Sequence, residues 1–282
     1  MLCTSLRAQD PRTDSLQDLI QRGDTNSIIA IDWVHMSRHH LINSNYPKAI
    51  RFAHKAIELS IGDTNIECKA RFYLANSLQN SQPRKALEAV LENEVIMEEY
   101  DHPWQYFNLR LASALYRDFG EFPEAVANQQ KVVDLVESGN DSFFLMESYT
   151  DMGFLYDRMH EYETCLEWQF KAKTLAELMK DTSYASFING RIGIAYDELE
   201  QFDSAHFYNE LSLAVQNLKM TQNMSPRTFR ILEIPMANKE GGMKLLWEYR
   251  LAINDRRQRC ETLRHEWRTD SARPSNPRSK MS

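Results

Sequence analysis

Three stretches of this sequence repeat one pattern: LASALYRDFGEF at 111–122, DMGFLYDRMHEY at 151–162 and RIGIAYDELEQF at 191–202. Each has a small residue in third place, a tyrosine three residues later and an aromatic residue six after that. The small residue and the tyrosine fall at helical spacing, so they share one face of a helix. The final aromatic residue follows a short turn. The pattern therefore predicts a helix, a turn and the start of a second helix.

The helix after each turn carries a small residue that sets the repeat length. Along the chain these residues are Ala49, Ala86, Ala125, Cys165 and Ala205, which are 37, 39, 40 and 40 residues apart. A small side chain lets two helices pack closely, and a single pair cannot bury both of its faces alone. The sequence thus predicts an all-α fold, a right-handed superhelical solenoid of antiparallel helix pairs.

This pattern resembles the tetratricopeptide repeat, whose consensus has Trp, Leu-Gly and Tyr in the first helix and Ala, an aromatic residue and Ala in the second. The matching residues are Trp33, Ala49, Ala56, Gly153, Tyr156, Gly193, Tyr196 and Ala205. The second repeat, near 67–99, is degenerate, and the period exceeds the usual length of about 34 residues. Long repeats of this kind resemble those of bacterial sensor and regulator proteins.

We expect four regions along the chain. Residues 1–12 form a flexible N-terminal segment, with a signal-peptide remnant as the alternative interpretation. Residues 13–224 hold five repeats behind a short capping helix whose N-cap is Asp14. Residues 225–268 hold a degenerate sixth repeat and a basic C-terminal capping helix. Residues 269–282 form a disordered tail, because they are polar and contain proline.

The resemblance also implies a partner-binding groove, because set positions of each first helix in this family face the concave side. Transferred to this sequence, the candidate groove residues are Arg38, Lys69, Phe72, Asn76, Phe107, Arg110, Arg117, Glu147, Phe154, Asp157, Phe187 and Asp197. The basic members belong to the first three repeats and the acidic members to the last two. We therefore expect a groove with a basic end and an acidic end that binds an extended or helical peptide. The alternative is that these charges are ordinary solvated helix faces.

Charge is uneven along the chain, whose formal net charge is −7. Residues 225–282 carry 13 Lys and Arg against 7 Asp and Glu, so the preceding part is strongly acidic. The basic end favours contact with an acidic partner or with a second copy, which would form a homodimer through the C-terminal helix. Acidic residues are interspersed in that helix, so nucleic acid is not an expected partner.

The sequence carries no signature of catalysis, of a cofactor or of a metal site. The G-x-S-x-G, GxGxxG, P-loop and HExxH motifs are absent. His35 and His39 are four residues apart on a helix, but the glutamate of a zinc-protease motif is missing and the adjacent His40 takes the tyrosine position of the repeat. We expect packing or surface roles for these histidines. The four cysteines are dispersed and indicate neither a disulfide framework nor a zinc site.

These observations predict a non-catalytic scaffold or adaptor that binds a peptide or a partner protein in the groove. The alternative is a sensory or regulatory module of a bacterial signalling or transcription-regulatory system, and an unrecognised enzyme is a third hypothesis. No apolar run approaches the roughly 18–20 residues that cross a bilayer. We expect a cytoplasmic protein, or a periplasmic or membrane-associated one if the true start lies upstream.

Overall fold

The computed structural model of this protein describes residues 11–100, 102–139, 141–179 and 181–222. These residues form eleven α-helices and no strand, so the all-α prediction is confirmed. The helices are α1 Pro11–Arg22, α2 Ala30–Ile42, α3 Tyr46–Leu59, α4 Thr64–Leu78, α5 Pro83–Glu99, α6 Gln105–Phe119, α7 Phe122–Gly139, α8 Ser142–Arg158, α9 Tyr162–Met179, α10 Thr182–Glu198 and α11 Phe202–Gln222. None of the helices in this described part is both long and apolar enough to span a membrane.

Each of the five predicted repeats contributes two consecutive helices, from α2 and α3 in the first to α10 and α11 in the fifth. The pairs α2/α3, α4/α5, α6/α7 and α10/α11 pack side by side, and only short loops join them. Helices joined in this way are antiparallel. The degenerate second repeat also forms both helices, because Asp63 accepts a hydrogen bond as N-cap of α4 and Pro83 opens α5.

The ends of the chain match the expectations only in part. A capping helix, α1, precedes the repeats, but it begins at Pro11, so Asp14 lies within its first turn. The prediction of Asp14 as N-cap was wrong, because proline suits the first turn of a helix and starts this one earlier. The expectations for residues 1–10, the sixth repeat, the C-terminal helix and the tail fall outside the described residues. The domain limits as a whole stay a prediction.

The helices of a pair approach each other at the small residues that define the repeat. All five of these residues are buried, with at most 3% of their surface exposed: Ala49, Ala86, Ala125, Cys165 and Ala205. Ser37 donates a hydrogen bond to the carbonyl oxygen of Ala49 at 2.9 Å, and Ser113 makes the same 2.9 Å bond to Ala125. Both serines occupy the small-residue position of the first helix, so this bond fixes the register of the pair.

The chain divides into two compact units, unit 1 (Met1–Leu155) and unit 2 (Tyr156–Ser282). The core of unit 1 combines buried alanines with large side chains such as Trp33. In unit 2, Ser186 and Ser212 exchange hydrogen bonds of 3.0 and 2.8 Å between their hydroxyls and carbonyls. These reciprocal bonds join α10 to α11, where small residues allow close packing.

The turn between the two helices of a pair uses one conformation in three successive repeats. Gly120, His160 and Glu200 lie forty residues apart and have φ angles of 77°, 61° and 57°. This left-handed conformation lets the chain reverse within about two residues. Glycine adopts it without penalty, whereas a residue with a Cβ atom is strained by about 1–2 kcal/mol. The fourth and fifth repeats therefore keep a strained turn.

We expect Glu200→Gly to raise the free energy of unfolding by about 0.5–1 kcal/mol, because glycine removes the strain at the cost of some chain entropy. The reverse change, Gly120→Ala, should lower it by about 1 kcal/mol at the matching turn. Thermal and urea unfolding followed by circular dichroism would measure both. A lower stability of the Glu200→Gly variant would contradict the strain argument.

The histidines of α2 have packing roles, as the sequence predicts. His35 is hydrogen-bonded to Thr13 at 2.8 Å, which links α2 to α1. The side chain of His40 is buried, and its ring centre lies 5.3 Å from that of Phe52. Burial, reinforced by the positive charges of His39, Lys48 and Arg51, lowers the pKa of His40 from 6.5 to about 4. The folded protein therefore holds this imidazole neutral where an unfolded chain would protonate it.

Acidification from pH 6.5 to about 4 should consequently weaken the fold. In this window the unfolded chain binds a proton at His40 and the folded protein does not, so unfolding is favoured as the pH falls. The variant His40→Tyr, which restores the residue type of the later repeats, should lose part of this pH dependence. Urea midpoints at pH 7, 6, 5 and 4 test the effect, and parallel pH profiles for the two proteins would refute it.

Candidate functional site

Unit 1 contains an open cavity of about 340 Å³ between α4, α6 and α8, named the groove cavity. Its lining residues are Phe72, Asn76, Phe107, Arg110, Leu111, Ser113, Ala114, Arg117, Gln129, Asp151 and Leu155. Five candidate groove residues meet here: Phe72, Asn76, Phe107, Arg110 and Arg117. Their spacings of four residues on α4, and of three and seven on α6, place them on one face of each helix.

Arg110 ties α6 to α8 through two carboxylates. Its Nε donates to Asp151 Oδ2 at 2.8 Å and its Nη1 donates to Glu147 Oε2 at 3.1 Å. The same Nη1 donates to the hydroxyl of Tyr106 at 3.1 Å. Burial acts to lower the pKa of Arg110, but the surrounding oxygens, led by those of Asp151, outweigh it and raise that pKa above its ordinary value. Arg110 is therefore charged, it links α6 to α8, and most of its N–H groups are already hydrogen-bonded.

Arg110 and Glu147 do not show the separation of charge that the sequence predicts. The sequence places Arg110 at the basic end of the groove and Glu147 at the acidic end, whereas the two side chains form an ion pair of 3.1 Å. Successive repeats stack side by side, so residues about forty positions apart on their first helices become neighbours. The prediction of separate ends is wrong here, because the opposite charges neutralise each other.

Arg117 is the second cation of the groove cavity, and its ion-pair partner is an exposed side chain. Its Nε and Nη2 donate to Asp118 Oδ1 at 3.0 and 2.8 Å, a contact between adjacent residues in which the side chain of Arg117 is 23% exposed and that of Asp118 is 62% exposed. Solvent around the exposed Asp118 carboxylate weakens this ion pair. The guanidinium also lies 4.9 Å from the ring centre of Phe154. Arg117 is thus positioned by an aromatic face and by an exposed carboxylate.

An aromatic wall forms one side of the groove cavity. The ring centres of Phe72 and Phe107 are 6.3 Å apart, and that of Trp104 lies 5.5 Å from the first and 5.6 Å from the second. Lys69 Nζ is 5.6 Å from the centre of the Trp104 ring. Lys69 therefore stands beside this wall, next to the cavity lining.

A second cavity of about 360 Å³, named the end cavity, lies at the start of α6 and α8 and the end of α7. Its lining residues are His102, Pro103, Gln105, Tyr106, Phe107, Leu135, Val136, Gly139, Asp141 and Phe144. Phe107 lines both cavities, so they adjoin. Asp141 Oδ1 accepts the backbone N–H groups of Phe143 and Phe144 at 3.0 and 3.2 Å, which caps α8.

The remaining candidate residues lie elsewhere. Arg38, on α2, is exposed and is not part of the groove-cavity lining. In unit 2, Asp157 accepts a hydrogen bond from Arg191 at 3.1 Å, and the Arg191 guanidinium lies 5.5 Å from the ring centre of Phe187. Phe187 is 53% exposed, and Asp197 is exposed as well. A groove role for these residues stays a prediction.

Sequence reasoning missed Asp151, Trp104 and Asp141. Asp151 lies four residues after Glu147, and this helical spacing could have assigned both carboxylates to one face of α8. Trp104 and Asp141 each precede a helix, so the groove positions within first helices do not include them. Among the described residues, no group of three or more His, Cys, Asp or Glu side chains could hold a metal ion.

No protein-family model matches this chain, and neither does a curated protein. Solved structures do match. BtubC (BKLC) from P. vanneervenii is 13% identical, with a TM-score of 0.66 over 81% of this chain and 96% of that one. A putative kinesin light chain from Podosopora anserina with nearly identical TPR-like repeats is 16% identical, with a TM-score of 0.58 over 66% of this chain and 94% of that one.

Aspartyl phosphate phosphatase F from Bacillus subtilis is also similar, at 16% identity and a TM-score of 0.61 over 73% of this chain and 56% of that one. At such identities the similarity concerns the fold. It agrees with the repeat pattern of the sequence and with the paired helices of the structure. The described part of this chain therefore has the helical-repeat fold of the tetratricopeptide repeat family.

Proposed function

We propose that this protein is a non-catalytic interaction module and that unit 1 binds an extended segment of a partner polypeptide in the groove cavity. The observation that carries the proposal is the composition of the cavity wall. Apolar surface from Phe72, Phe107 and Leu111 lies beside the amide of Asn76 and the guanidinium of Arg117. A polypeptide can bury apolar side chains on such a wall while its oxygens accept hydrogen bonds.

The chemistry of the cavity favours binding over catalysis. Its charged side chains are Arg110, Arg117 and Asp151, and Arg110 is ion-paired with Asp151. The hydroxyl of Ser113 donates to the carbonyl of Ala125 at 2.9 Å, and no histidine is among the lining residues. Among the described lining residues, the serine hydroxyl is therefore engaged by a backbone carbonyl and the Asp151 carboxylate by Arg110, an arrangement that does not prepare the serine as a nucleophile.

The similar structures support an interaction role more than an enzymatic one. One is a putative kinesin light chain with nearly identical TPR-like repeats, a name that states no catalytic activity. The phosphatase is an enzyme, but this chain spans only 56% of its length. The compartment, a homodimer through the C-terminal helix and a part in bacterial signalling stay predictions from the sequence.

We expect nonapeptides selected from a random display library on the whole protein to bind the groove cavity. Phe107→Ala should weaken their binding about tenfold or more, because it removes an aromatic anchor from the centre of the wall. Arg117→Gln, a second variant at the rim of the groove cavity, should weaken peptide binding to a smaller extent. Fluorescence anisotropy with labelled peptides gives the dissociation constants, and thermal unfolding shows whether each variant is folded.

Arg84→Gln is the matched control for Arg117→Gln. The Arg84 guanidinium lies 5.1 Å from the ring centre of Phe119, much as Arg117 lies against Phe154, but Arg84 is not part of the cavity lining. The control should bind the peptides like the wild type. Failure to select any peptide, or selected peptides that bind a folded Phe107→Ala variant equally well, would remove the basis of the proposal.

A further inference from the structure

The two cavities of unit 1 differ in charge and share a wall. On the basis of the proposed function, we infer that the bound segment is dipolar. It places a carboxylate against Arg117 in the groove cavity and a basic side chain in the end cavity, about five residues away along the segment. The end cavity is then a second subsite, and the partner is a segment that carries both charges.

Phe107 makes the two cavities continuous. It lines both, and its ring centre lies 5.6 Å from Trp104, 5.0 Å from Tyr106 and 5.8 Å from Phe144. These rings therefore form an aromatic surface that extends from the groove cavity to the end cavity. One extended segment can lie along this surface and fill both.

Of the two cations among the described residues that line the groove cavity, one is available to a ligand. Arg110 is matched by the two carboxylates of Glu147 and Asp151, so its charge is already compensated. Arg117 has an exposed neighbour, Asp118, as its ion-pair partner, and it is fixed by Phe154 at the cavity rim. A partner carboxylate can accept both N–H groups of this guanidinium in place of Asp118, with little loss of existing stabilisation.

The end cavity has the opposite character. Among the described residues that line it, Asp141 is the only carboxylate and none is a lysine or arginine. His102 adds no positive charge there, because burial and the nearby Lys69 lower its pKa. Its Nδ1 accepts the backbone N–H of Trp104 at 3.1 Å, as expected of a neutral imidazole.

Aromatic rings strengthen the preference of the end cavity for a cation. Tyr106, Phe107 and Phe144 line it together, and the faces of such rings attract lysine and arginine side chains. Asp141 supplies a full negative charge at the same place. A basic side chain with an aliphatic stem can therefore bury its stem on the rings and direct its charge to this carboxylate.

The spacing follows from the geometry of α6. Phe107, at the shared wall, and Arg117, at the far rim, are ten residues apart, which is about 15 Å along a helix. An extended peptide advances about 3.3 Å per residue, so about five residues cover this distance. A segment whose basic residue lies at Phe107, with its long side chain extending into the end cavity, therefore carries its acidic residue about five positions away.

The test uses four pools of nonapeptides displayed against the whole protein. In every pool two positions five residues apart are fixed and the other positions are random. The dipolar pool has one acidic and one basic residue at these positions, in both orders. The other three pools have two acidic residues, two basic residues and two glutamines. We expect the dipolar pool to be enriched about tenfold over each of the others, since each matched charge contributes a charge-assisted contact. Sequencing of the retained peptides gives the enrichment.

Protein variants locate each charge preference. On Arg117→Gln the advantage of the acidic residue should disappear and that of the basic residue should remain. Asp141→Asn should do the reverse, and asparagine can still cap α8, so the fold is kept. The matched control is Asp181→Asn in unit 2, since Asp181 accepts the backbone N–H of Tyr184 at 3.1 Å as the corresponding cap of α10. This control should retain both preferences.

The outcomes separate the two proposals. Equal enrichment of the glutamine pool, with binding still lost in Phe107→Ala, would overturn the dipolar segment and leave the peptide site intact. Charge preferences that persist in Arg117→Gln or Asp141→Asn would also overturn it, because they would arise elsewhere. If no pool is enriched, the peptide site itself fails and the inference fails with it.

Discussion

The close approach of two helices at a small buried residue is the contact on which the rest of this structure depends. Ala49 and Ala125 are fully buried, and a serine of the partner helix bonds to the carbonyl oxygen of each. A larger side chain at either position would push the helices apart and expose the carbonyl. Because the two helices of each pair are held at a fixed distance from each other, the first helices of unit 1 form an ordered row. The cavities lie along that row.

The sequence predicts the elements of this fold well and their lateral contacts poorly. A period near forty residues, with matched small and aromatic positions, is enough to place the helix pairs, including the degenerate α4 and α5. It does not determine how far one repeat is offset from the next. The pairing of Arg110 with Glu147 and Asp151 depends on that offset, so a sequence read one repeat at a time assigns these charges to opposite ends.

Part of the candidate site could likewise be predicted from the sequence and part could not. Phe72, Asn76, Phe107, Arg110 and Arg117 could be named from helical periodicity together with the family's groove positions, and the groove cavity contains all five. The end cavity could not be found in this manner. His102 and Asp141 lie in loops between repeats, where spacing carries little information. Both line the end cavity, and each loop leads into a first helix, α6 or α8.

The buried thiols have a consequence for following this protein in solution. Cys68 lies in unit 1 and Cys165 in unit 2, both buried, and burial raises the pKa of the first to about 11 and of the second to about 12. A thiol that is both inaccessible and protonated resists alkylation until its surroundings open. Labelling at each site, resolved by mass spectrometry, therefore times the local opening of one unit separately from the other. Each unit thus contains a native thiol whose labelling rate reports its own local opening.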